Sequence, residues 1–265
     1  MKRKIMIKPV SFYINALDEM QHYPKELYYR GNEILLHKRK VSIVGTRKPF
    51  YSTKVLTQQL ANGLAKAGIC IVSGGALGVD AIAHASAGTQ NTIMVSPTGL
   101  DIIYPATNRV LIRNIQENGL VLSMFESDFK ATPWSFVARN EMVVALSEIL
   151  IVTQADQNSG SLRSVEFALK MGKKVFVLPH RIGESEGTNM LLKNKLAEAI
   201  YDIEEFIDSL VPKRKKETIV DDFLEYCKQR PLYDEAILKY NSKVFEYELQ
   251  GKIEVKHGRI NLLLT

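Results

Sequence analysis

Through the middle of the chain, apolar residues fall in short unbroken runs, separated by stretches where they recur every three or four positions. Val41-Ser42-Ile43-Val44 and Ile69-Cys70-Ile71-Val72 are runs of the first kind, and residues 92–95, 120–123, 149–152 and 175–178 repeat them. A run that is apolar on both alternating faces predicts a strand covered on both sides. Residues 52–66 are of the second kind, with Val55, Leu56, Leu60 and Leu64 at near-helical spacing, Ser52 placed to cap and Gly68 to stop the helix. Further helices are predicted over residues 80–87, 108–118, 136–145 and 162–171. Continuous apolar strands alternating with helices predict an α/β protein with a doubly wound, mostly parallel, Rossmann-like sheet.

After Leu210 the pattern changes. Val211-Pro212-Lys213-Arg214-Lys215-Lys216 is a polar break that reads as a basic linker. Beyond it, residues 220–229, 233–240 and 243–249 predict three short helices. Residues 252–255 and 259–263 predict a hairpin turned at His257-Gly258, completing a winged-helix-like outline. The expected organisation is therefore an N-terminal extension leading into the sheet (1–40), a Rossmann-like domain (41–210), the linker (211–216) and a small C-terminal interaction domain (217–265).

Charge refines this division. The net +6 resolves into +4 over residues 1–39, zero over 40–210, +4 over 211–216 and −2 over 217–265. Bulk charge thus gives no polyanion site on the central domain; such a site must be a local patch. The acidic C-terminal segment, with Asp234, Glu235, Glu246 and Glu248 on its second and third helices, is expected to contact protein rather than a DNA groove. Lys8 and Pro9 interrupt the apolar start and no run reaches membrane-span length, so no leader, no membrane partner and a cytoplasmic location are expected. Cys70 and Cys227 are far apart and lack metal-ligand neighbours, which predicts reduced core thiols.

Three Gly/Ser-rich turns follow predicted strands: Gly45-Thr46-Arg47-Lys48, Ser73-Gly74-Gly75 and Asn158-Ser159-Gly160-Ser161. In an open α/β sheet such turns gather at the carboxyl edge, where backbone N–H groups and helix N-termini bind anions. No Gly-x-Gly-x-x-Gly fingerprint and no Walker lysine motif occurs, which weakens dehydrogenase and ATPase readings. Arg47 and Lys48 are placed to meet a phosphate, or are two surface cations beside the turn-forming Pro49. Asp80 and His84 share a helix face: either an acid/base pair or, as we favour, a structural arrangement, with Asp80 capping the helix or caging the glycine-rich turn. Glu166, one turn into the helix after the third loop, is a candidate hydrolase base or a favourable charge near a helix start. Trp134-Ser135-Phe136 followed by Arg139-Asn140 has the aromatic and guanidinium content that single-stranded nucleic acid uses, although both rings also suit core packing.

In their order and spacing these segments resemble the DNA-processing protein A family (DprA, also called Smf). The resemblance runs over residues 41–207. It rests on Ile43-Val44-Gly45-Thr46-Arg47, Ser73-Gly74-Gly75-Ala76 through Asp80 and His84, and Gly99-Leu100-Asp101 with Tyr104-Pro105. Phe136 with Arg139-Asn140, Ser159-Gly160-Ser161-Leu162 and Gly187-Thr188-Asn189 complete it. The resemblance implies a single-stranded-DNA-binding protein of natural transformation and recombination. It would act usually as a homodimer, protect incoming strands, help load the RecA recombinase, and have no established turnover and no cofactor. The DNA-facing residues it implies are Gly45, Thr46, Arg47, Lys48, Ser73, Gly74, Gly75, Phe136, Arg139, Asn140, Asn158, Ser159, Gly160 and Ser161.

The chain departs from the family pattern at Leu77 and Glu141, where arginine is usual, at Ser123-Met124 with Glu126 displaced, and at Pro179-His180 in place of Pro-Gly. Lys130, Lys173, Lys174 and Arg181 are the nearby cations that would have to compensate. The alternative readings are a nucleoside-monophosphate phosphoribohydrolase, of whose Pro-Gly-Gly-x-Gly-Thr-x-x-Glu motif only Gly160 and Glu166 match, and a partner-docking protein.

Overall fold

The computed structural model describes residues 6–211 and 221–263, so linker residues 212–216 lie outside the described residues. The chain forms two compact units, Met1–Val211 and Pro212–Thr265.

In the first unit the elements follow in the order β1 (Lys8–Pro9), β2 (Tyr28–Gly31), β3 (Lys40–Val44), α1 (Tyr51–Lys66), β4 (Cys70–Ser73), α2 (Val79–Ala87), β5 (Thr92–Val95) and α3 (Arg109–Asn118). They continue with β6 (Leu120–Ser123), α4 (Pro133–Ala145), β7 (Ile149–Val152), α5 (Gly160–Lys170), β8 (Val175–Val177), α6 (Glu186–Lys193), β9 (Glu198–Ala199) and α7 (Ile203–Leu210). They build one sheet in the order β1-β2-β6-β5-β4-β3-β7-β8-β9. From β6 through β9 all pairings are parallel. The predicted doubly wound α/β sheet is the observed one. The chain winds from β3 outward to β6, then returns to place β7 on the other side of β3. The connections leaving β3 and β7 therefore diverge, which opens a crevice at the carboxyl edge.

Both faces of the sheet are covered, which explains the unbroken apolar runs. Ile43, Ile71 and Ile151 pack under α1, α2 and α7 with Leu60, Leu64 and Phe206. Val44, Val72, Leu150 and Val152 pack under α4 and α5 with Met142 and Val165, where Leu17 and Leu35 of the N-terminal segment join them. Burying each large apolar side chain is worth roughly 1.5–3 kcal/mol, so these two layers dominate the stability of the unit.

The N-terminal extension does more than lead into the sheet: β1 and β2 extend it with antiparallel pairings β1–β2 and β2–β6. Strands of two and four residues are too short to show a period. Helix α1 starts at Tyr51, with Phe50 at the N-cap and no side-chain cap, so Ser52 lies inside the helix instead. The buried thiol of Cys70 is pushed up to about 12 by burial, in keeping with an inert core residue.

In the second unit α8 (Asp222–Cys227), α9 (Tyr233–Tyr240) and α10 (Ser242–Leu249) precede an antiparallel hairpin of β10 (Ile253–Lys256) and β11 (Arg259–Leu262). Phe223, Cys227, Ala236, Val244, Ile253 and Ile260 form its core. Asp221 caps α8, accepting from the N–H groups of Phe223 (3.0 Å) and Leu224 (3.4 Å). It also accepts from Lys243 Nζ (3.0 Å) and the Tyr247 hydroxyl. The Tyr247 bond, then Lys243 and the two N–H groups, hold its carboxyl down at about 2.

Candidate functional site

At the crevice lies a cavity of about 820 Å³. Five segments wall it, one of them the start of α6 with Glu186, and Asp80 and Asp156 also face it. The connection from β3 to α1 contributes Gly45, Thr46, Arg47 and Lys48, together with Phe50. The turn after β4 contributes Gly74 and Ala76, and the start of α4 contributes Phe136, Arg139 and Asn140. The turn after β7 contributes Asn158, Ser159, Gly160 and Ser161. Ser73 and Gly75 do not line it. Ser73 is fully buried and its hydroxyl donates to Ile43 O (2.6 Å), while the Gly75 carbonyl accepts from Asn108 Nδ2 (3.0 Å).

The walls hold one another through the backbone. Thr46 N–H donates to Gln154 O (2.8 Å) and Thr46 O accepts from Val79 N–H (3.1 Å). Gln154 Oε1 accepts from Phe50 N–H (2.9 Å). Gly78, at φ +76°, lies directly against the carbonyl of Thr46, where a Cβ would collide with backbone. Close approach of the first two turns therefore requires glycine there. Ser159 caps α5, accepting from Ser161 N–H (3.2 Å). The remaining N–H groups of that first turn and the partial positive charge of the helix start favour an anion in the cavity.

Arg139 forms the floor. Its side chain is 7% exposed, and the guanidinium fills the space where any side chain at Gly74 would stand. Nη1 lies 3.7 Å from Asp80 Oδ2, which also accepts from Ala76 N–H (3.3 Å). Burial pushes the Asp80 carboxyl up, and the Arg139 charge and surrounding N–H groups pull it back. Burial likewise lowers the Arg139 pKa, but a guanidinium keeps its proton in protein surroundings. The acid/base pair between Asp80 and His84 is not formed. His84 Nδ1 donates to Thr92 Oγ1 (2.5 Å), since that hydroxyl itself donates to Ile71 O (2.8 Å). Burial, then the Arg139 charge, holds His84 neutral with a pKa of about 3. Asp80 instead holds the glycine-rich turn.

Arg47 and Lys48 are exposed at the mouth, and among the described residues neither forms an ion pair. Phe136 is half-buried, its ring 5.5 Å from that of Tyr104 and 6.0 Å from Arg139 Cζ. Beside the cavity these two rings, Leu77, Pro97 and Pro105 line a slot of about 70 Å³. Leu77 is thus a wall of this slot, where the family pattern would place a cation. Trp134 lies outside both spaces, packed edge-on against Phe125 (5.3 Å) and Phe129 (5.6 Å).

Glu141, the other departure, accepts from Gln21 N–H (2.7 Å) and so anchors the N-terminal segment. Lys173 and Lys174 do not compensate for the missing arginines. Lys173 is bound to Glu19 (2.5 Å) and Lys174 to Glu198 (3.1 Å), beside the amino end of β8. Glu166 pairs with Arg163 (2.9 Å) with its side chain 54% exposed, and it does not line the cavity. Sequence reading missed Phe50, Gln154, Asp156 and Glu186 as wall residues. An exposed aromatic at a helix N-cap and a polar residue just past a buried strand were the available signals.

A doubly wound sheet with glycine-rich turns, a helix N-terminus, exposed cations and an aromatic side chain around a crevice at its switch point defines a Rossmann-like α/β protein. The chain belongs to the DNA recombination-mediator protein A family, which matches residues 4–211. It is similar to protein Smf of Synechocystis (37% identical over 208 residues, 75% of this chain and 52% of that protein). It is also similar to DNA processing protein DprA of Bacillus subtilis (34% over 195 residues, 72% and 65%). The matches thus span from about half to just under two thirds of those relatives. Among solved structures, DNA processing protein A of Helicobacter pylori, described for its single-stranded DNA binding mode, aligns with a TM-score of 0.77 at 46% identity. That alignment covers 79% of this chain and 98% of the other. The X-ray structure of DprA from Streptococcus pneumoniae aligns with a TM-score of 0.71 at 33% identity, covering 77% and 74%.

Proposed function

We propose that the chain binds single-stranded DNA in the carboxyl-edge cavity. The observation that carries this is the pair of exposed cations, Arg47 and Lys48, unpaired among the described residues, at the mouth of a cavity backed by N–H groups and walled by Phe136. Phosphates meet Arg47, Lys48 and the first turn of α5, while a base stacks on Phe136; Arg139 supplies positive potential from the floor, reduced by Asp80. The single-stranded DNA binding described for the Helicobacter pylori relative supports this reading. Duplex DNA is excluded because its bases are stacked and cannot reach a ring recessed beside a slot.

The test is fluorescence anisotropy of a labelled oligo-thymidine and of a matched duplex at several salt concentrations. Tight, salt-dependent binding of the single strand with weak duplex binding is expected; equal, weak binding of both sinks the reading. By the same family reasoning we infer a role in transformation and recombination, in the cytoplasm, as a homodimer that helps RecA assemble on the strand. Faster RecA filament growth on a strand covered by single-strand-binding protein checks that role, and sedimentation checks the dimer. No described helix is long and apolar enough to cross a membrane. The hydrolase reading gains nothing from the site, since its candidate base Glu166 is turned away from the cavity.

A further inference from the structure

The connection from β5 to α3 has two sides. Pro97, Tyr104 and Pro105 line the slot beside the main cavity, and Leu100, Asp101 and Ile103 line a separate cleft of about 400 Å³. Arg30 of β2 and Arg113 and Glu117 of α3 complete that cleft. Neither arginine forms an ion pair among the described residues, and Arg30 Nε is buried without a hydrogen-bond partner. Guanidinium groups that line a cleft without a carboxylate partner leave N–H donors for an incoming anion.

The cleft also holds two carboxylates, Asp101 and Glu117, and neither forms an ion pair with the arginines among the described residues. Asp101 accepts from Asp128 N–H (3.0 and 3.1 Å) and so ties the β5–α3 connection to the β6–α4 connection. Gln116 Nε2 is turned to Leu100 O (3.3 Å). Glu117 remains, exposed on α3. Arg109, also exposed, precedes Arg113 by one helical turn, about 6 Å along the axis, on the same helix face. Cations thus continue from the β5–α3 connection along α3 to Arg30.

We propose that the Arg30–Arg113 cleft is a second phosphate site, which takes the backbone of the DNA strand after it leaves the main cavity across the β5–α3 connection. This rests on the single-strand reading above. It makes the occluded length longer than one cavity can hold, and it separates two classes of contact. Bases and phosphates meet in the first cavity; only phosphates are held in the second.

The experiment compares a labelled oligo-thymidine of about 5 nucleotides with one of about 20, on the full chain, at several salt concentrations. Arg113 is exposed, so Arg113→Ala and Arg113→Glu leave the core intact. Affinity for the short strand is expected to stay, while Arg113→Ala weakens the long strand about three- to tenfold at low salt and lowers its salt slope by about 0.7. Arg113→Glu should weaken it further, and Glu117→Gln should tighten it. If wild type binds both strands and no Arg113 variant changes the long-strand affinity or slope, the cleft is not a phosphate site and the main cavity stands alone. If wild type binds neither strand, the single-strand reading fails and the cleft proposal with it.

Discussion

The two edges of the main sheet treat their cations in opposite ways. At the amino edge Lys40 Nζ donates to Leu36 O and Lys38 O (2.7 Å each), and Arg39 grips Glu148 (2.6 Å) and Leu210 O. Lys173 Nζ donates to Val144 O (3.0 Å), Ala145 O (2.8 Å) and Ser147 O (2.6 Å) beside the end of α4. At the carboxyl edge Arg47 and Lys48 have no such partner. The cause is built into a parallel α/β sheet. Its amino edge meets helix C-termini, whose free carbonyls take up cations, and its carboxyl edge meets helix N-termini, whose free N–H groups cannot. A cation at the carboxyl edge therefore stays available to an anion from outside. Arg139 is the exception, kept in place by Asp80.

The largest effect should come from that exception. Arg139→Ala leaves Asp80 buried without its partner and is expected to cost about 3–5 kcal/mol, read from denaturant unfolding followed at Trp134. A loss below about 1 kcal/mol would mean that Asp80 is neutral once the guanidinium is gone. Next, Lys173→Met strands three carbonyls and should cost about 1–3 kcal/mol while leaving oligo-thymidine binding unchanged. Weakened binding in that variant would break the division between edges.

Asp221→Ala tests a satisfied carboxylate outside the sheet. It should destabilise the second unit by about 1–2 kcal/mol, read from hydrogen exchange of its amides. Because the Asp221 pKa lies lower folded, at about 2, than unfolded, the stability it contributes is full above roughly pH 4 and disappears as pH falls toward 2. Smallest in stability is Arg47→Ala, within about 0.5 kcal/mol of wild type. Its effect should appear instead as weaker single-strand binding with a salt slope lower by about 0.7. A slope equal to wild type would remove Arg47 from the site.

Much of the fold was legible because its signals are local. A buried parallel strand writes itself as four apolar residues in a row, and a glycine-rich turn directly after it marks the carboxyl edge. The ordered turns also carried the family resemblance. The edge strands β1 and β2 were not legible as strands, because pairs such as Tyr28 with Ser123 join residues far apart in the chain through backbone alone.

Sequence by itself determined the alternation of strands and helices from β3 to β8, the doubly wound class and which turns would meet at the switch point, since period and turn chemistry are properties of a few neighbouring residues. Only the tertiary structure decided which charges are free. Arg39 with Glu148, Lys173 with the end of α4 and Arg139 with Asp80 are each matched across long stretches of chain. Whether a cation is neutralised or left open depends on which helix end the fold brings to it, and no local pattern records that.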